Sequence, residues 1–308
     1  MIHGSLPSQV LLLLLVLLCC PCRIPLAAPA GAAGEGPVDS LRVVPVPDEV
    51  RKDFGLAPFY RKCILAKGLP IVGSEKVSDF ALREAAWLVD RMLGKRDDIR
   101  AAIVRQKIRL TVMAWNEFTT DVPEHSDLKP KDYWDRRARG LGATLVRPSI
   151  SGAEENLLSY PGDPYGTENI LIHEFAHTIH EIGLAGVDPA FGGRLEALYK
   201  EALAKGLWKS TYAATNAAEY WAEGIQSWFD CNRPADTIHN GVDKREKLKE
   251  YDPPLAALIA EVLGDTPWRY VRTDLRKDPG HLAGLQRENL PRFRFRGPNR
   301  GGPKERSF

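Results

Sequence analysis

Apolar residues recur along the chain at helical and at alternating spacings, and each period predicts an element. The clearest helix covers Thr167 to Gly183, TENILIHEFAHTIHEIG. At 100° per residue, Ile172, Phe175, Ala176, Ile179 and Ile182 gather on one side, and His173, His177 and His180 on the other. Thr167 is placed to cap this helix, Glu168 favours its positive end, and Gly183 is placed to close it. Upstream, Ser78 caps a helix through Phe80, Ala81, Leu82, Ala85, Trp87, Leu88 and Met92 that ends at Gly94. A second helical piece runs from Asp98 to Gln106, and the alternation of Ile108, Leu110 and Val112 predicts a strand. Trp115 to Pro130 reads as a loop, DYWDRRARG as a basic helix, and Ala153 to Tyr160 as a short edge strand able to pair with an extended peptide.

Beyond the histidine helix, Leu195, Leu198 and Ala202 mark a helix over Arg194 to Lys205. In the helix expected at Asn216 to Cys231, Trp221, Ile225, Trp228 and Phe229 form an apolar face, and Glu219, Glu223 and Gln226 a narrow stripe opposite, away from the core. Asp252-Pro-Pro opens a last helix, Leu255 to Leu263, closed by Gly264. Helix, helix and strand ahead of the histidine helix imply an α+β domain with a small sheet set against it.

Composition places the chain among soluble globular proteins: 308 residues, 44% hydrophobic, 27% charged and a formal charge of +2. That balance gives no reason to expect nucleic acid or a membrane surface as partner. The apolar run Val10 to Leu18, followed by Ala27-Ala28-Pro29-Ala30, reads as a secretory signal peptide at 1–30. A flexible leader is expected at 31–47, a catalytic domain at 48–285 and a basic disordered tail at 286–308. Cleavage would remove Cys19, Cys20 and Cys22, and in an oxidising compartment Cys63 and Cys231 are expected to form a disulfide. No Asn-x-Ser/Thr sequon is present, so N-glycosylation is not expected.

HEFAH is a His-Glu-x-x-His motif: histidines one turn apart aim two imidazole nitrogens at one point, where Zn2+ sits, and Glu174 stands beside it. A catalytic zinc takes a third protein ligand. His180 and Gly183 occupy the places where metzincins carry glycine and histidine, which excludes that pattern. Asp188 is available as the third ligand, without the Gly-Thr that precedes it in aspzincins, and so is a glutamate of EYWAE, Glu219 to Glu223, in the gluzincin manner. His125 is a further candidate metal or substrate contact, and His180 a candidate for supporting the site from behind the ligands or from the substrate side.

HEFAH, Tyr212, and Glu219 seven residues later in E-x-x-A-E together resemble the catalytic domain of anthrax lethal factor and its relatives, zincin metallopeptidases of the gluzincin type. The resemblance spans about Glu168 to Phe229 and implies nothing about the preceding hundred residues. It implies that Glu219 completes the zinc site with His173 and His177, that Glu223 supports it from behind, and that Tyr212 faces the substrate oxyanion. Glu174 would then be the general base of a secreted peptidase holding one Zn2+ per chain and acting on a peptide or protein substrate, with no stable membrane association once the signal is removed. The chain has no room for the targeting domains of the toxin, so toxin activity is not implied. The alternative is a catalytically inactive secreted zinc-binding or interaction protein with the same fold.

Overall fold

The computed structural model describes residues 41–296. Six strands form one mixed sheet in the order β1-β2-β3-β4-β6-β5: β1 (Val44–Pro45), β2 (Lys62–Ala66), β3 (Leu69–Gly73), β4 (Arg109–Met113), β5 (Gly140–Leu141) and β6 (Ser149–Ala153). β2 and β3 make an antiparallel hairpin around Lys67-Gly68, both with positive φ, as a tight two-residue turn requires. β3, β4 and β6 run parallel, and β5 lies antiparallel to β6 at one edge. Every residue of β3, β4 and β6 is buried, because the sheet is covered on both faces.

The helices, in chain order, are α1 (Asp48–Phe54), α2 (Asp79–Leu93), α3 (Asp97–Arg105), α4 (Lys131–Arg137), α5 (Glu154–Leu157), α6 (Ile170–Thr178), α7 (Phe191–Ala204), α8 (Ala217–Trp228), α9 (Arg245–Tyr251) and α10 (Pro253–Leu263). Ser78, the expected cap of α2, and Asn216 and Asp252, at the expected starts of α8 and α10, each accept a hydrogen bond from the backbone N–H two or three residues on. The main core joins Leu110, Val112 and Ile150 of the sheet to Leu171, Ile172, Phe175, Ala176 and Ile179 and to Trp221, Ile225 and Trp228. Each large apolar side chain so buried contributes about 1.5–3 kcal/mol, which offsets the cost of placing polar groups on the opposite face of α6.

Several expectations change. Ala153 to Tyr160 is not a strand: β6 ends at Ala153, and Glu154–Leu157 is a helical turn. The chain coils there, with Leu158 N donating to Glu154 O at 2.9 Å and Tyr160 N to Glu155 O at 2.8 Å, while the Glu155 side chain pairs with Arg139 and that of Glu154 accepts from the backbone of Ser78 and Trp115. Thr167 is not the cap of α6. Asn169 is, accepting from Ile172 N at 3.0 Å, while Asn156 accepts from Ile170 N at 2.9 Å. Gly183 does not close the helix, which continues through a π-turn, Ile179–Gly183, and a 3-10 turn, Leu184–Gly186. Gly183 keeps a right-handed φ of −64°, and its lack of a side chain admits α3, since a Cβ there would lie 2.6 Å from Ile99 Cγ2.

Cys63 and Cys231 are free and buried, not joined. Cys63 packs with Val46, Phe54, Leu56, Tyr60 and Val72, while Cys231 belongs to the main core and its thiol donates to Gln226 O. The two thiols thus sit in different apolar clusters, and burial pushes Cys63 up to about 11 and Cys231 well above its ordinary value. Within the stretch expected as a leader, Val44–Pro45 pairs with β2. Within the stretch expected as a tail, Phe293 N donates to Pro161 O at 2.8 Å. The expected signal peptide lies outside the described residues, as do 31–40 and 297–308. Among the described residues no helix is long and apolar enough to cross a membrane.

Candidate metal centre and catalytic site

Two hydrogen bonds set α8 against α6: Trp221 Nε1 donates to Ala176 O at 3.0 Å, and Gln226 Nε2 to Asn169 O at 3.2 Å. The polar stripe of α8 therefore faces the polar side of α6 and is buried there, with Glu223 3% and Gln226 0% exposed, rather than turned away from the core.

His173, His177 and Glu219 meet in that interface, their ligand atoms within 4.8 Å of one another. His173 Nε2 lies 3.1 Å from His177 Nε2 and 3.1 Å from Glu219 Oε2, and His177 Nε2 lies 3.4 Å from the same oxygen. Bonds of about 2.0–2.1 Å to a tetrahedral zinc put neighbouring ligand atoms roughly 3.3–3.4 Å apart. The three atoms thus form one face of such a tetrahedron, and two imidazoles with a carboxylate are a donor set suited to zinc.

The tautomer follows from the neighbours. Gln226 Nε2 faces two groups that only accept, Asn169 O and Glu168 Oε2, so its Oε1 faces His173 Nδ1 at 2.8 Å and accepts the proton there. Nε2 of His173 is then the nitrogen that can offer its lone pair to a metal, and in the metal-free chain it carries a proton toward Glu219. Three electron-rich atoms in such proximity call for a cation. Burial works against a charge on His173, yet the hydrogen bond to Glu219 and the charges of Glu174, Glu219 and Glu223 raise it to about 10. Burial likewise pushes Glu219 upward, but hydrogen bonds to the two histidines hold it well below the usual carboxylate range.

Glu174 is raised by burial and drawn back by the charges of His173 and His177. β5 lies against it: a Cβ on Gly140 would lie 3.0 Å from Glu174 Cγ, and one on Gly142 3.0 Å from His177 Cβ. Tyr212, in a 3-10 turn before α8, donates from Oη to Glu219 Oε1 at 3.0 Å. Glu223 Oε1 stands 3.7 Å from His173 Nδ1, behind the ligands, and Oε2 accepts from Asn232 at 3.0 Å.

No protein-family model matches the chain, and no curated protein matches it. Among solved structures it is similar to a Pro-Pro endopeptidase from Paenibacillus alvei, at 15% identity and a TM-score of 0.37, with 64% of this chain and 98% of that one covered. A likeness that low carries no function across. The lethal-factor-like resemblance rests on HEFAH, Tyr212, Glu219 and Glu223 alone.

The other candidates are not among the three clustered residues. Asp188 pairs with Arg194 at 2.7 Å and is not part of the cluster. His180 packs edge-on against Phe191, with ring centroids 5.6 Å apart, and burial lowers it to about 4. His125 is buried under the sheet, 3.1 Å from Ser151 Oγ, and is lowered by burial to about 4. Gln226, Gly140, Gly142 and His239 stand beside the site without belonging to its motif. Gln226 had a visible signal: it stands seven residues after Glu219 on one stripe. The Gly-Leu-Gly of 140–142 was the trace of a backbone that must approach a helix closely.

Proposed function

We propose that the chain is a secreted zinc peptidase that hydrolyses peptide bonds, with His173, His177 and Glu219 holding one Zn2+. The observation that carries this reading is the three ligand atoms at tetrahedral spacing with Glu174 beside them. A zinc ion held there supplies Lewis-acid chemistry, polarising a carbonyl and acidifying water toward neutral pH.

Glu174 accepts the proton of the attacking water and passes it to the leaving amine, a role suited to a carboxyl that burial has made more basic. Tyr212 turns its hydroxyl from Glu219 to the developing oxyanion. The substrate lies extended along the outer edge of β5, which pairs with β6 on its other side. Among the described residues no strand pairs with the outer edge of β5 at Gly140–Leu141, which takes the place in this reading that Ala153 to Tyr160 was expected to fill. Glu174 and Tyr212, both in place beside the ligands, favour this reading over an inactive binding protein of the same fold.

The test is Glu174→Gln. Its zinc content should match the wild type while hydrolysis of a mixed peptide library falls at least about 100-fold. Equal turnover by the two proteins would leave no role for Glu174 and would sink the proposal. For secretion, the processed chain should appear in the medium of expressing cells, and its retention inside them would refute that part.

A further inference from the structure

Between α8 and α9 the chain makes a tight turn at 236–239, closed by Asp236 N donating to His239 O at 3.0 Å. One oxygen of Asp236, Oδ1, accepts three times: from Ile238 N at 2.9 Å, His239 N at 2.9 Å and His239 Nδ1 at 2.8 Å. A carboxylate oxygen only accepts, so His239 carries a proton on Nδ1. Both flanks of the turn are tied down. Arg233 donates to Glu168, just ahead of α6, and lies 3.4 Å from Asp236 Oδ2. His239 Nε2 stands 3.7 Å from Glu223 Oε2 on α8.

From this turn Ile238 O accepts from Tyr212 N at 2.8 Å. Tyr212 opens a 3-10 turn of three residues, and this bond ties its N–H to the 236–239 turn. We infer that His239 is a positioning residue for Tyr212: by closing the 236–239 turn onto Asp236 it presents the Ile238 carbonyl that sets Tyr212 where its hydroxyl reaches Glu219 and the reacting carbonyl. The inference rests on the peptidase reading of Tyr212. A displacement of about 1 Å at such a donor costs on the order of 100-fold in rate.

The experiment compares His239→Ala, His239→Asn, Tyr212→Phe and the double variant His239→Ala/Tyr212→Phe. Asparagine can place its Nδ2 donor where the imidazole Nδ1 stood and keep the bond to Asp236. Hydrogen exchange is read on the metal-free proteins, and steady-state kinetics with zinc content on the loaded ones. His239→Ala should speed exchange of the Tyr212 amide about tenfold or more with exchange in the core unchanged. It should lower kcat roughly 10- to 100-fold at constant KM and zinc content, and His239→Asn should restore both to within about threefold. The double variant should be no slower than Tyr212→Phe, since the two residues act through one hydroxyl. Unchanged exchange at Tyr212, or an equal loss of kcat from His239→Ala in both backgrounds, would overturn the inference. Full kcat in Tyr212→Phe would overturn the role of Tyr212 and the catalytic part of the inference with it, while the exchange result, taken without metal or substrate, tests the positioning by itself.

Discussion

Gln226→Met isolates the contribution of a buried amide to the metal site. Methionine has nearly the same reach and no strong acceptor, so His173 Nδ1 loses its partner at 2.8 Å and faces only Glu223 Oε1 at 3.7 Å, too far for a hydrogen bond. A buried donor left without a partner costs about 1–3 kcal/mol. In the metal-free chain the imidazole escapes that cost by giving up the Nδ1 proton and keeping the one on Nε2 toward Glu219, or by turning its ring, and metal binding must undo the escape. The cost therefore appears as lost zinc affinity, about 5- to 160-fold at 1.36 kcal/mol per factor of ten. That range overlaps the roughly 10- to 100-fold seen when partners of ligating histidines are removed. The assay is competition against a chromophoric chelator at fixed pH, beside thermal unfolding of the metal-free proteins. Unfolding separates the second effect of the change, loss of the Nε2 bond to Asn169 O. Zinc affinity within twofold of wild type in a folded Gln226→Met would refute the argument that Gln226 selects the tautomer.

Glu219→Gln should weaken zinc retention at least tenfold, while Asp188→Asn, whose carboxylate is engaged by Arg194, should leave it unchanged; the reverse pattern in a metal assay would move the third ligand to Asp188. Tyr212→Phe should lower kcat and kcat/KM together by roughly 10- to 1000-fold with KM nearly constant, and near wild-type kcat with zinc bound would remove its role. Burial raises Glu154 to about 7, so the folded chain binds its proton more tightly than the unfolded one. Stability from this group is then full below about pH 4.5 and is lost as pH rises through 7, about 3 kcal/mol in all. Urea unfolding at pH 5 and pH 8 should show that fall in the wild type and much less of it in Glu154→Gln; the same fall in both would exclude Glu154 as its source.

What the sequence alone determined lay within a few residues of itself. Ser78, Asn216 and Asp252 cap their helices because a cap joins a side chain to a backbone N–H two or three positions on. His173 and His177 share a face because one helical turn separates them. The β2–β3 hairpin went unread for the complementary reason: β3 is buried throughout, so no alternation marks it, and its Lys67-Gly68 turn is a weak signal. The cysteines misled because redox compartment says nothing about distance, and the chain places the two thiols in different clusters. Glu219 was a candidate by motif. Only the packing of α8 on α6, through Trp221 to Ala176 and Gln226 to Asn169, brought it to the histidines and turned its stripe inward. Gln226 meets His173 across 53 residues of sequence, and Ile238 meets Tyr212 from the far side of α8. Contacts of that kind depend on how separate elements close together around a shared apolar core, and no local period or cap encodes them.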